Sequence, residues 1–160
     1  IIMQRLGKII FDALCANNEL VQIVGGRIKS TCFEVPPMEQ DNTPLPYIII
    51  TDDGMSPSQT TKDNEWMPYL FRVNVGVEIG ATSSNEVWDI ELKVMKAIAD
   101  HMQNLAEQGI DTPYLNEGYP QTEGIAWDWT KPCYFDTIHY QCDIENTNDD
   151  EQEDGSNSEI

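Results

Sequence analysis

Apolar residues return at steps of three and four from Ile2 to Leu14, where Ile2, Leu6, Ile9, Ile10, Ala13 and Leu14 form one stripe. That spacing predicts an amphipathic helix, because 3.6 residues per turn bring those positions to one side. Asn17 and Asn18 suit its end, and the apolar piece Leu20 to Val24 runs into Gly25 and Gly26, where the chain can turn without a Cβ penalty. Arg27 to Phe33 alternates weakly and reads as a short strand ended by Pro36 and Pro37. After Pro44 and Pro46, the β-branched run Tyr47 to Thr51 predicts a strand covered on both faces and bounded by Asp52, Asp53 and Gly54.

From Met55 to Pro68 the chain is rich in Ser, Thr, Asp, Asn and Pro, which predicts a long exposed connection in which Trp66 and Met67 stand out. Phe71, Val73, Val75, Val77 and Ile79 then alternate with Arg72, Asn74, Gly76 and Glu78, the period of a strand with one buried face. Ser83, Ser84 or Asn85 can cap a second helix. Its buried stripe is Val87, Ile90, Val94, Ala97, Ile98, His101, Met102 and Leu105, and Gly109 and Pro113 stop it. Between Asp111 and Pro132 no clean period exists, although Gly124 to Thr130 has the alternation of a short strand; the region reads either as an extra strand or as an insertion used in contact. Ile138, Tyr140, Cys142 and Ile144 mark a final half-buried strand within Tyr134 to Ile144. The sum is an α+β chain with a mixed, mostly antiparallel sheet of about four or five strands and two main helices.

The chain has 160 residues, of which 40% are hydrophobic, enough for one core and short for two, so residues 1–145 are expected to form a single α+β domain. Residues 146–160 hold almost nothing apolar and are expected to be a disordered acidic tail. The net charge is −19, from 28 acids and 9 bases. Eight acids lie between Asp143 and Glu159 with no base among them, leaving 20 acids against 9 bases, a net of −11, over the rest. So negative a surface repels phosphate backbones and argues against direct nucleic-acid binding. No apolar run reaches the ~18–20 residues that span a bilayer, and the first residues lack signal-peptide order, so a soluble, cytosolic protein is expected.

Cys15, Cys32, Cys133 and Cys142 share no C-x-x-C spacing and read as buried thiols in a reducing compartment rather than disulfides or zinc ligands. His101 and His139 lack a His or Cys partner at a ligand offset, and His101, on the helix stripe, reads as a packed histidine. Asp52 and Asp53 read as a solvated turn, because neighbouring side chains of an extended chain point opposite ways. No nucleophile elbow, phosphate loop, zinc-protease or dinucleotide motif occurs. Cys15 has nothing in the sequence to lower its pKa for attack. No catalytic residue, metal or cofactor is therefore expected, and the chain is not read as an enzyme.

Element order and two phrases, Gly25-Gly26-Arg27-Ile28 and Leu45-Pro46-Tyr47, resemble the tail-completion, or tail-terminator, proteins of long-tailed bacteriophages and prophages over roughly Ile2 to Ile144. The long tryptophan-bearing stretch from Asp111 to Pro132 and the acidic tail depart from that pattern. The resemblance implies helices packed on one face of the sheet and a homo-oligomeric, hexameric ring that completes the tail tube and joins the neck. Other tail and neck proteins would be its partners, in the bacterial cytoplasm during assembly and in the virion tail afterwards. On that reading the segment from Asp53 to Met67 projects toward the tube or a neighbour. Asp53, Met55, Trp66, Met67 and Tyr69 are then the candidate subunit contacts, since large apolar side chains dominate interface energy. Trp66 reads equally as packing at the edge of its own core. Two alternatives remain: an acidic inhibitor that mimics DNA, and a small enzyme without a familiar motif.

Overall fold

The computed structural model describes residues 5–30, 45–59 and 70–145. Trp66, Met67, Tyr69, Cys32 and the acidic tail lie outside them. In chain order the elements are α1 (Leu6–Ala16), α2 (Asn18–Ile23), β1 (Ile28–Ser30), β2 (Tyr47–Gln59), β3 (Leu70–Ala81), α3 (Ser84–Glu107), β4 (Gln121–Thr122), β5 (Ala126–Asp128) and β6 (Cys133–Glu145). Among the described residues the strands form one six-stranded sheet of order β1-β2-β3-β6-β4, with β5 also on β6. Only β1 and β2 run parallel. The fold is α+β with a mixed, mostly antiparallel sheet, as the periodicities predict.

Residues directly opposite in an antiparallel pair share a face, so register assigns each side chain. Val75, Val77 and Ile79 of β3 stand opposite Tyr140, Ile138 and Asp136 of β6, and Ile79 and Val77 stand opposite Ile48 and Ile50 of β2. This face meets the helices. Ile10 and Leu14 of α1, and Val87, Ile90, Val94 and Ile98 of α3, join it in one buried cluster with Leu20 and Val24. Each fully buried Val, Leu or Ile stabilises the fold by about 1.5–3 kcal/mol relative to exposure. Asn17 ends α1 and also caps α2, its side-chain oxygen accepting from Leu20 N–H at 3.1 Å. Ser83 caps α3 in the same way, through Glu86 N–H at 3.2 Å.

The two phrases of the resemblance meet in space. Gly25 and Gly26 take left-handed φ values of 58° and 76°, which glycine adopts freely, and turn the chain from α2 into β1. Arg27 then donates from Nε to the Pro46 carbonyl at 3.0 Å and from Nη2 to the Leu45 carbonyl at 3.2 Å. Ile48 N–H donates to the Arg27 carbonyl at 3.0 Å, starting the parallel pair. Tyr47 lies over Gly80, where a Cβ would collide with its ring; its hydroxyl donates to Glu78 at 2.8 Å, and the Lys131 ammonium sits 4.2 Å from the ring centre.

Three expectations change. The connection expected from Met55 onward is strand as far as Gln59, opposite Leu70 to Val73. Among the described residues β1 pairs only with Ile48 to Ile50 and no strand pairs the other edge of β2 at Pro57, where a proline is tolerated. A bulge between Asp52 and Met55 takes up one extra residue, with Gly54 at φ 92° and its N–H held by Asp52 Oδ1 at 2.9 Å. Second, of the two readings of the stretch before β6 the extra strand holds, with β5 inside the expected Gly124 to Thr130, but it is longer and broken. Leu115 bridges Cys142, β4 pairs at His139 and Ile138, and β5 pairs at Phe135 to Cys133, so it runs down β6 as an interrupted edge strand. Third, Cys133 and Cys142 are buried but Cys15 is exposed, because its position turns away from the α1 stripe.

Candidate functional site

Asp52 and Asp53 point to opposite faces, and the bulge lets them. Asp52 reaches Arg5 on the helix side at 3.4 Å. Asp53 lies on the open face, where it accepts from Thr51 Oγ1 at 2.9 Å and stands 3.6 Å from His139 Nδ1. Gly76 makes room beneath: a Cβ there would fall 2.7 Å from Asp53 Oδ2 and 2.8 Å from Thr51 Oγ1. The other nitrogen of His139 is 2.8 Å from Glu123. The same open face carries a ladder of amides and charges in which Gln141 donates to Asn74, Asn116 donates to Gln141 and Asp143, and Arg72 and Ser58 donate to Asp143. Those donors hold the Asp143 carboxyl below the ordinary range against a desolvation that would raise it.

Of the expected contact residues, Asp53 is therefore engaged within its own sheet, while Met55 is 66% exposed on the part of β2 beyond the bulge. Trp66, Met67 and Tyr69 lie outside the described residues. Large exposed apolar side chains also occur where sequence reasoning named none: Trp88 and Leu92 on α3, and Ile125, Trp127 and Trp129 along the edge segment. Trp127 stands opposite Tyr134, with ring centres 4.8 Å apart and edge to face, and meets Trp129 in the same manner at 6.2 Å. Met55 stands opposite Val73 and hence near Cys142, whereas Trp127 is beside Tyr134, eight residues or roughly 27 Å back along β6. The two apolar surfaces are far apart and unlike.

Between α3 and the edge segment runs a groove of about 340 Å³, lined by Trp88, Glu91, Leu92, Met95, Thr122, Gly124, Ile125 and Asp136. Its floor holds two carboxyls, Glu91 and Asp136, each 2% exposed. Asp136 accepts from the Gly124 N–H at 3.0 Å and the Thr137 N–H at 2.7 Å. The Glu91 carboxyl hydrogen-bonds to Asp136, and no N–H or O–H of the described chain donates to Glu91 Oε2. Desolvation first, then the bond to Asp136 and its negative charge, push Glu91 up from 4.5 to about 8, so it is mostly protonated at neutral pH. Sequence reasoning singled out neither residue, although both carry a signal. Glu91 lies four residues after Val87 and three before Val94, on the buried stripe, and Asp136 has the inward parity of Tyr134 and Ile138.

The Cys15 thiol is raised by partial desolvation and by the Asp12 carboxylate, the opposite of what a nucleophile requires. Among the described residues no three His, Cys, Asp or Glu side chains converge to hold a metal ion, and no helix is long and apolar enough to cross a membrane.

No protein-family model matches the chain, and no curated protein is a significant match. Among solved structures, it is similar to a chain described as "Virion of native gene transfer agent (GTA) particle", with a TM-score of 0.41 and 11% identity, covering 88% of this chain and 95% of that one.

Proposed function

We propose that this protein is a structural, non-catalytic subunit of a phage or prophage tail, assembling as a hexameric ring that completes the tail tube and meets the neck. The reading stands on the chain's own residues rather than on the likeness to the gene-transfer-agent chain. One observation carries it. A ring closes through head-to-tail contacts, which need two unlike surfaces on each subunit, and the exposed Met55 side chain and the Trp127–Trp129 pair, at opposite ends of the sheet, are candidates for them. The Arg27 clamp on Leu45 and Pro46 supports the resemblance by making its two phrases one structural unit.

Among the described residues, Asp12, Asp52, Asp89, Asp100 and Asp143 each sit beside a basic side chain of the same chain, which does not favour DNA mimicry. Among the described residues, Glu91 and Asp136 are the titratable groups that line the groove. Their apolar rim of Trp88, Leu92 and Ile125 supports binding as the groove's assignment. Light scattering across concentration and salt tests the ring. A discrete species near six subunits that Met55→Glu or Trp129→Ser dissociates is expected, and a strict monomer under all conditions overturns self-assembly of the free protein.

A further inference from the structure

The groove between α3 and the edge segment has a chemistry that ring closure leaves unused. Its rim is apolar, with Trp88, Leu92 and Ile125 all exposed, and its floor is a carboxyl pair almost sealed from water. Among the described residues no donor or cation reaches the buried Glu91 Oε2, and a buried polar atom left unpaired is costly. The missing complement is a donor or positive charge that arrives at the end of an apolar stem. Lys and Arg have that construction, an aliphatic chain that packs on apolar surface and a cationic head.

From this juxtaposition we infer that the groove receives a lysine or arginine side chain from a different, basic partner protein, its stem between Trp88, Leu92 and Ile125 and its head on Glu91 and Asp136. A second copy is a poor source of that side chain. Of the nine basic residues in the chain, seven are engaged within it: Arg5, Lys8, Arg72, Lys93 and Lys96 pair with its own carboxylates, Arg27 is held by the Leu45 and Pro46 carbonyls, and Lys131 covers Tyr47, which leaves Lys29 and Lys62, the latter outside the described residues. The net charge of −19 favours a basic partner over another copy. Binding expels the Glu91 proton into solvent, since an adjacent cation favours its carboxylate form. The inference does not depend on the ring, and a monomer that binds in this way would still satisfy it.

The test is calorimetric titration of the full chain at pH 7 with an acetylated, amidated pentapeptide carrying one arginine among leucines, and with its citrulline counterpart. Salt is held at about 0.15 M to screen the acidic surface. Wild type should bind the arginine peptide saturably and the citrulline peptide about tenfold more weakly, a difference typical of a desolvated charge contact. The arginine heat should vary with the ionisation enthalpy of the buffer as the proton leaves. Glu91→Gln/Asp136→Asn, a neutral pair of the same shape, should lose both the preference and the proton release. Ile125→Ser, which leaves the carboxyls in place and keeps the test open if the double variant misfolds, should weaken the arginine peptide. The inference is overturned by equal binding of the two peptides, by no saturable binding, or by a preference that survives in a folded Glu91→Gln/Asp136→Asn protein. It is also overturned if wild type self-associates in a manner that the double variant abolishes, which would seat a second copy in the groove.

Discussion

Replacing Glu91 by glutamine isolates the pH dependence that the buried pair builds into folding. The carboxyl titrates near its ordinary 4.5 in the unfolded chain and near 8 in the folded one. Between those values the native state holds a proton that the unfolded state has released. Stability from this group is therefore fully present below about 4.5 and is lost as pH rises through about 8. Each pH unit inside the window is worth about 1.4 kcal/mol, so from pH 5 to pH 8 the wild type should lose roughly 3–4 kcal/mol through Glu91. Glutamine has no proton to lose, and its amide can donate to Asp136 as the protonated acid does. Urea unfolding at closely spaced pH values, followed by tryptophan fluorescence, gives both curves. Wild type and Glu91→Gln should be nearly equal at pH 5, with the variant more stable by roughly 3–4 kcal/mol at pH 8. Parallel curves, with a constant difference across the window, would refute the reasoning, because they would mean that Glu91 is ionised alike in both states.

Arg27→Met should cost about 2–3 kcal/mol in urea unfolding, since two part-buried carbonyls lose charge-assisted donors. Gly76→Ala should cost about 1–3 kcal/mol by thermal unfolding, as its Cβ drives Asp53 from Thr51 and His139. Adding Asp53→Ala to that variant should recover part of the loss, and simple additivity would count against the packing account. Ser83→Ala should cost about 1 kcal/mol through the lost cap of α3, read from the shift in the denaturation midpoint with an unchanged slope.

Much of the architecture is legible wherever one period runs unbroken. The alternation from Phe71 to Ile79 and from Ile138 to Ile144, and the stripe from Val87 to Ile98, become β3, β6 and α3 because each buries one face against the same core. Where neighbours rather than the local sequence decide, the pattern falls silent. Residues Asp52 to Gln59 carry Gly54 and Pro57, which oppose a strand, yet β3 supplies a long template that pairs them. The edge segment from Leu115 to Asp128 has no period because it touches β6 only in short contacts separated by turns. Glu91 and Asp136 were readable as acids at apolar positions, but each signal is a single residue, and only the register of β6 against β3 and the packing of α3 bring the two together.

The bulge at Gly54 also sets which length changes the arm between β2 and β3 can accept. Side chains alternate with strict period two, so one residue gained or lost turns every later one to the other face. Here the extra residue between Asp52 and Met55 puts Asp53 on the open face with His139 while leaving Met55 and Pro57 opposite Val73 and Phe71, and a second extra residue falls between Pro57 and Gln59. Deleting Gly54 alone would remove the bulge and leave Met55 and Pro57 opposite Val73 and Phe71, whereas a deletion away from the bulge would turn the rest of the arm over. A relative one residue shorter at the bulge would therefore keep the arm's faces, while one shorter elsewhere along the strand would need a compensating bulge to do so.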